Sequence, residues 1–303
     1  MKPKSKIAVI GAGLMGHGIA QVFALAGHPV KITDVSQEAL ASVLTRIRKN
    51  LSDLGLDPGC ADRVVPQADL QATVSDADVV FEAGPEDMAF KQDVFAQIEK
   101  FAPHHALLAS NTSVMPITQI MAKVTQPRRA LGTHWWNPPY LVPLVEVIRT
   151  EATSTESVDA MVELLNAVGK TAVRVDKDVP GFIGNRLQHA LWREAISLVE
   201  HGICSAEAVD AVVKASFGRR LAVLGPLENA DLVGTDLTLA IHQNVLRHIK
   251  QAPGPSPYLR ALVDGGKLGM KSGEGFRKWT AEQQAELRGK VLAHLKMLNE
   301  RGI

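Results

Sequence analysis

Three observations predict an α/β doubly wound sheet followed by an all-helical domain. Short apolar runs alternate with helical patterns through the first part of the chain. A G-x-G-x-x-G turn joins the first run to the first helix. After about Pro180 strand signals become few and helical periodicity takes over. The division expected is therefore a sheet domain over 1–179 and a helical domain over 180–303.

Ile7 to Ile10 is continuously apolar, as a strand buried on both faces requires. The turn Gly11-Ala12-Gly13-Leu14-Met15-Gly16 follows, and a helix from about Met15 to Ala26 ends at Gly27, a C-cap residue. Val30 to Thr33 gives the second strand. Further strands are read in DADVVFEAG (76–84), ALLASNT (106–112), RALGTHW (129–135), LVEVI (144–148) and TAVRV (171–175). Helices are expected over Lys91 to Phe101 and Glu156 to Val168. Pro180 and Gly181 punctuate the start of the helical pattern in PGFIGNRLQHALWREAISLVEHG.

Composition narrows the function. The chain has 303 residues, 46% hydrophobic and 21% charged, with a formal net charge of +1. That balance carries no electrostatic signature of nucleic acid or an anionic membrane. The first apolar run is broken by glycines, so it reads neither as signal peptide nor as membrane anchor. Cys60 and Cys204 have no metal or redox spacing, and a reducing, cytoplasmic location is expected. The histidines other than His134 show no metal-ligand spacing.

In the glycine turn, Gly11 permits the tight bend, Gly13 lets a pyrophosphate approach the backbone, and Gly16 lets helix and strand pack closely. Leu14 and Met15 open the helix, whose free N–H groups face the phosphates. Asp34 closes the second strand, where a carboxylate can take both ribose hydroxyls and repel a 2′-phosphate. NAD is therefore expected over NADP.

A second constellation lies in GTHWWNPPYLVPLVEVI (132–148). His134 stands beside two tryptophans, and Glu146 is the single acid of an apolar run. Burying either charge alone is expensive, whereas a His–Glu couple lets each stabilise the other. A lone histidine among aromatics is more often a satisfied core residue. Trp135 and Trp136 read as packing, and Met270 as a gap-filler. SNTSVMPI (110–117) and KDVPGFIGNRL (177–187) add small polar side chains near element ends, where open α/β sheets bind ligands.

Taken in order, GAGLMG, EAGPEDMAFK, ASNTS, THWWNPPYLVPLVEVI, DVPGFIGNR and KLGMKSGEGF resemble the 3-hydroxyacyl-CoA dehydrogenase family along almost the whole chain. The resemblance implies a Rossmann-like NAD domain followed by a helical domain that forms a homodimer. It places the catalytic histidine on His134 and its partner glutamate on Glu146. Substrate-oxygen contacts fall on Ser113 and Asn185. Cofactor contacts fall on Asp34, Glu86, Lys91, Ser113, Asn137 and Lys271. Asn185 has a second reading, as a residue that bridges the start of the helical domain.

Two features depart from acyl-CoA members. The segment Gln37 to Gln71 is short, and between Lys49 and Gln71 its one base, Arg63, faces Asp53, Asp57, Asp62 and Asp69. Arg193 follows Asn185 and His189 on one helix face, where it could fork a carboxylate; it could equally be a solvated or dimer-contact residue. The substrate expected is a small hydroxy or keto acid, or an acyl-CoA, with the free acid favoured. A different class of function, a non-catalytic dinucleotide-binding protein such as a sensor, stays open at this point. The intact His134–Glu146 set argues against it.

Overall fold

A computed structural model describes residues Lys4 to Arg301. The chain divides into two compact units, the first ending at Asn185 and the second beginning at Arg186. The strands of the first unit are β1 (Ile7–Ile10), β2 (Val30–Thr33), β3 (Val64–Pro66), β4 (Val79–Glu82), β5 (Leu107–Ser110), β6 (Ala130–Trp135), β7 (Leu144–Ile148) and β8 (Thr171–Val175). They form one sheet of order β3-β2-β1-β4-β5-β6-β7-β8. Between them run α1 (Leu14–Leu25), α2 (Gln37–Asp53), α3 (Leu70–Val74), α4 (Met88–Phe101), α5 (Ile117–Ile120) and α6 (Thr155–Ala167).

The strand residues divide by parity. Ile7 and Val9 of β1 join one apolar cluster with Ile19 and Phe23 of α1, while Ala8 and Ile10 join another with Phe95 and Ile98 of α4. A strand with a helix layer on each face must be apolar at every position, which is why IAVI reads as a continuous run. Helix α1 ends where expected: Gly27 has φ +86°, a left-handed stop. Asp87 and Ser154 cap α4 and α6, their side chains accepting from Phe90 N and Ser157 N.

Two parts of this unit were not foreseen. β3 and α3 are too short to leave a periodic signal, and β3 ends in a proline. The sheet is parallel except where β6 meets β7, whose connection carries no helix; there it is antiparallel, with His134 directly opposite Glu146.

Helix α7 (Gly184–Glu200) leads into the second unit, which continues with α8 (Ala206–Ala215), α9 (Pro226–Val233), α10 (Thr235–Val245), α11 (Pro257–Asp264) and α12 (Ala281–Arg301). Among its described residues, strand content is limited to isolated bridges, Gly269 to Glu274 and Glu274 to Lys278. No apolar side chain among its described residues is buried. No described helix is long and apolar enough to cross a membrane.

Candidate active site

The antiparallel register makes the central pair. Residues directly opposite on neighbouring strands send their side chains to the same face, so His134 and Glu146 meet. His134 Nδ1 lies 2.7 Å from Glu146 Oε2, and both residues are almost wholly buried. The other carboxylate oxygen, Oε1, accepts from Ile183 N at 2.8 Å and Gly184 N at 3.0 Å. Those amides are presented by a sharp turn in which Gly181 and Phe182 both have positive φ, +77° and +50°. A phenylalanine in the left-handed region costs roughly 1–2 kcal/mol, and here it aims two N–H groups at one carboxylate. Burial pushes the Glu146 carboxyl up, but the hydrogen bonds from His134, Gly184 and Ile183, with the imidazole charge, outweigh it. Its pKa ends below the ordinary value. Because the carboxylate can only accept, Nδ1 is assigned the proton, which leaves Nε2 as the basic nitrogen.

His134, Ser113, Asn185, Asn137, Glu86 and Met15 line one cavity of about 290 Å³, together with Trp136 and Asn111. Asn185, on the first turn of α7, donates from Nδ2 to Ser113 O at 2.7 Å. Glu86 shapes the loop after β5: its two oxygens accept from Ser113 N at 2.7 Å and Thr112 Oγ1 at 2.8 Å. Trp135 is core, packed edge-on against Phe23 and Phe81. Trp136 packs too, but beside the site, where it lines the cavity. Its ring centroid stands 5.3 Å from that of His134, and Gly184 leaves the room it occupies, since a Cβ there would come within 2.5 Å of the indole.

A second cavity of about 500 Å³ is lined by Gly11, Asp34 and Val35 among others. The glycines answer to different demands. Gly11 has φ +102°, and an added Cβ would sit 2.6 Å from Ala83 O. At Gly16 the added carbon would lie 1.8 Å from Gly11 O. Around Gly13 there is nothing within 4 Å, so its missing side chain leaves open space above the loop, room for a ligand phosphate. Asp34 accepts from Ala12 N at 2.6 Å and Ser36 N at 2.7 Å, one bond to each oxygen. Each oxygen keeps lone-pair capacity for a hydroxyl. These features fit an adenine dinucleotide.

Lys91 is wholly buried. Its Nζ lies 2.9 Å from both oxygens of Glu82, which also accept from Ser110 Oγ and Gly84 N. Glu86 is 4.0 Å away from it. The lysine charge is thus engaged in tying the end of β4 to α4. Glu82 itself went unnoticed in the sequence, although an acid closing an apolar run is the signal that marked Glu146. The two backbone donors to Glu146 leave no trace in side-chain identity. Arg193 and Lys271 belong to the second unit, where both are exposed.

Residues 6–179 match the NAD binding domain of 3-hydroxyacyl-CoA dehydrogenase, and residues 181–279 match its C-terminal domain. A 5-formyl-3-hydroxy-2-methylpyridine 4-carboxylate 5-dehydrogenase of Mesorhizobium japonicum is 36% identical over 97% of this chain and 98% of its own. A probable 3-hydroxybutyryl-CoA dehydrogenase of Bacillus subtilis is 39% identical, covering 89% of this chain and 96% of its own. Among solved structures, the pyridine-carboxylate dehydrogenase, described as an NAD+-dependent dismutase, superposes with a TM-score of 0.90 at 33% identity and 98% coverage of both chains. The (S)-3-hydroxybutyryl-CoA dehydrogenase of Ralstonia eutropha gives 0.77 at 30% identity, covering 92% of this chain and 100% of its own.

Proposed function

The chain belongs to the 3-hydroxyacyl-CoA dehydrogenase family, NAD-dependent enzymes acting on CH–OH, and from that premise we propose that His134 is its general base and a free hydroxy or keto acid its substrate. The observation that carries the mechanism is the buried 2.7 Å contact of His134 with Glu146. His134 Nε2 takes the hydroxyl proton during oxidation and returns it during reduction. Glu146 fixes the tautomer and stabilises the imidazolium. Ser113 and Asn185 polarise the substrate oxygen on which charge develops. When bound, NAD supplies the hydride acceptor. Asp34 and the backbone at Gly11, Gly13, Leu14, Met15 and Gly16 hold the adenosine diphosphate part, with Glu86, Asn137 and Lys271 assigned to the rest of the cofactor; Lys91, expected there too, is wholly buried against Glu82 and holds the end of β4 instead.

The free-acid preference rests on charge. CoA recognition draws on several phosphate–cation contacts. On α2, Arg48 is paired with Asp62 at 2.8 Å and Lys49 with Asp53 at 2.7 Å, and the stretch that follows is acidic. The relative that aligns over 97% of this chain is named for a pyridine carboxylate. Helix α12 also lies beyond residue 279, where the family match ends. Arg193 is assigned to the substrate carboxylate.

The division of labour proposed is cofactor binding by 1–179, and substrate binding and dimerisation by 180–303. The unburied apolar side chains of the second unit support a homodimer. The unpaired Cys60 and Cys204 suit a cytoplasmic location.

The test compares turnover of acetoacetate, acetoacetyl-CoA and a panel of sugar and pyridine carboxylates. A free acid should be the better substrate, and Arg193→Met should raise its KM about ten-fold or more, the scale of one charged hydrogen bond. Preference for acetoacetyl-CoA by orders of magnitude, with Arg193→Met unchanged, would overturn the free-acid assignment.

A further inference from the structure

Arg46 lies on α2, behind the glycine loop, and forms no ion pair with a carboxylate among the described residues. Its guanidinium grips backbone instead. Nη2 donates to Ala12 O at 2.5 Å and to Ala39 O at 2.8 Å, and Nη1 reaches Gly13 O at 3.4 Å. His17, buried on α1, approaches Gly13 O with Nδ1 at 2.7 Å, while Asn50 Nδ2 sits 3.2 Å from His17 Nε2 and 3.0 Å from Gln21 Oε1. A carbonyl can only accept, so His17 is assigned its proton on Nδ1, and Nε2 accepts from Asn50. Burial, and to a lesser degree the Arg46 charge, lower the His17 pKa against the bond to Gly13 O, which raises it.

In a planar trans peptide the carbonyl and the next residue's N–H point in opposite directions. Holding Ala12 O therefore fixes Gly13 N–H toward the far side of the loop, and holding Gly13 O fixes Leu14 N–H likewise. No acceptor for Gly13 N–H occurs among the described residues. Leu14 is the first residue of α1, where N–H groups have no intrahelical partner. Those are the amides that meet the diphosphate at a loop of this kind.

We propose that Arg46, backed by His17 and Asn50, is a positioning residue for the cofactor: it locks the glycine loop with its amides facing the diphosphate and places an otherwise unpaired positive charge behind it. This rests on the NAD reading of the site. It adds a residue that the glycine motif does not contain, contributed by the helix after the second strand.

The test measures competition against NADH by ADP-ribose, which has the diphosphate, and by adenosine, which lacks it, in wild type, Arg46→Met and Arg46→Lys. Arg46→Met should weaken ADP-ribose and raise KM for NADH by about ten-fold or more, the scale of lost charge-assisted hydrogen bonds. Adenosine should stay within about two-fold, and the change should fall on KM rather than kcat. Arg46→Lys, which keeps the charge without the planar fork, should lie between. Unchanged ADP-ribose binding in either variant would overturn the proposal, as would an equal loss of adenosine. NADH binding lost together with adenosine in wild type would instead indict the dinucleotide assignment itself.

Discussion

A carboxylate that receives an imidazole and two backbone amides has little use for a proton. Glu146 is in that position, and its pKa lies below the ordinary 4.5 because His134, Gly184 and Ile183 all donate to it. The sign follows from linkage. A lowered folded-state pKa contributes stability that is full above the unfolded value and is lost as pH falls through the folded one. Acid titration below about pH 4.5 should therefore destabilise the wild type more steeply than Glu146→Gln, measured by urea unfolding at each pH. Matching slopes would remove the buried Glu146 carboxylate and its three donors from the account. His134→Gln should leave NADH binding nearly intact and lower turnover by roughly 10²-fold to 10⁴-fold, the worth of a positioned general base; wild-type turnover would sink the mechanism. At Asp34 the comparison is NADH against NADPH at one salt concentration. NADH should bind more tightly, since a carboxylate facing a 2′-phosphate is repulsive. Equal dissociation constants would detach Asp34 from the ribose.

Elements divide the glycines that the fold needs from the glycine that the ligand needs. Gly16→Ala would drive a carbon to 1.8 Å from Gly11 O, a backbone contact that cannot yield without moving α1 off β1. Gly13→Ala meets nothing within 4 Å. The expected outcome is a sharp loss of thermal stability for Gly16→Ala. For Gly13→Ala the melting temperature should be nearly unchanged while KM for NADH rises about ten-fold or more. Equal stability losses would show that both glycines serve packing alone. The same scale explains what could be read in the chain beforehand. β1 and residues 79–81 of β4 were legible because two-sided burial writes an unbroken apolar run, and α1 because its end carries glycine. The His134–Glu146 pair was legible as two charges that needed each other. The antiparallel step from β6 to β7, which puts them opposite, was not, because residue pattern sets which face a side chain takes and not which way the next strand runs. Arg46 left no signal, since its partners are main-chain carbonyls, present at every position whatever the side chain.

For the whole molecule, the unequal burial of the two units decides the argument. In the first unit, Phe23, Phe81, Phe95 and Ile98 are wholly covered. In the second, Val212, Leu227, Leu232 and Leu239 are 63%, 79%, 73% and 60% exposed, and no apolar side chain among the described residues is buried. A domain of about 120 residues ordinarily buries well over half of its surface, and scattered exposed leucines are normal only where a core exists beside them. A helical unit without a core stays ordered by covering those side chains with something else, and the proposed cover is a second copy of the chain. Two measurements follow. Light scattering should report twice the 32.6 kDa chain mass. The melting temperature should rise with protein concentration, because association stabilises the folded state by mass action. Leu232→Glu combined with Leu239→Glu gives a sharper reading. On a solvated face each exchange changes stability by about 0.5 kcal/mol or less. On a covered face the pair should shift the protein toward monomer and lower its melting temperature at fixed concentration. A 32.6 kDa species whose melting temperature ignores concentration, and which tolerates both glutamates, would mean that the second unit stands alone and the homodimer is wrong.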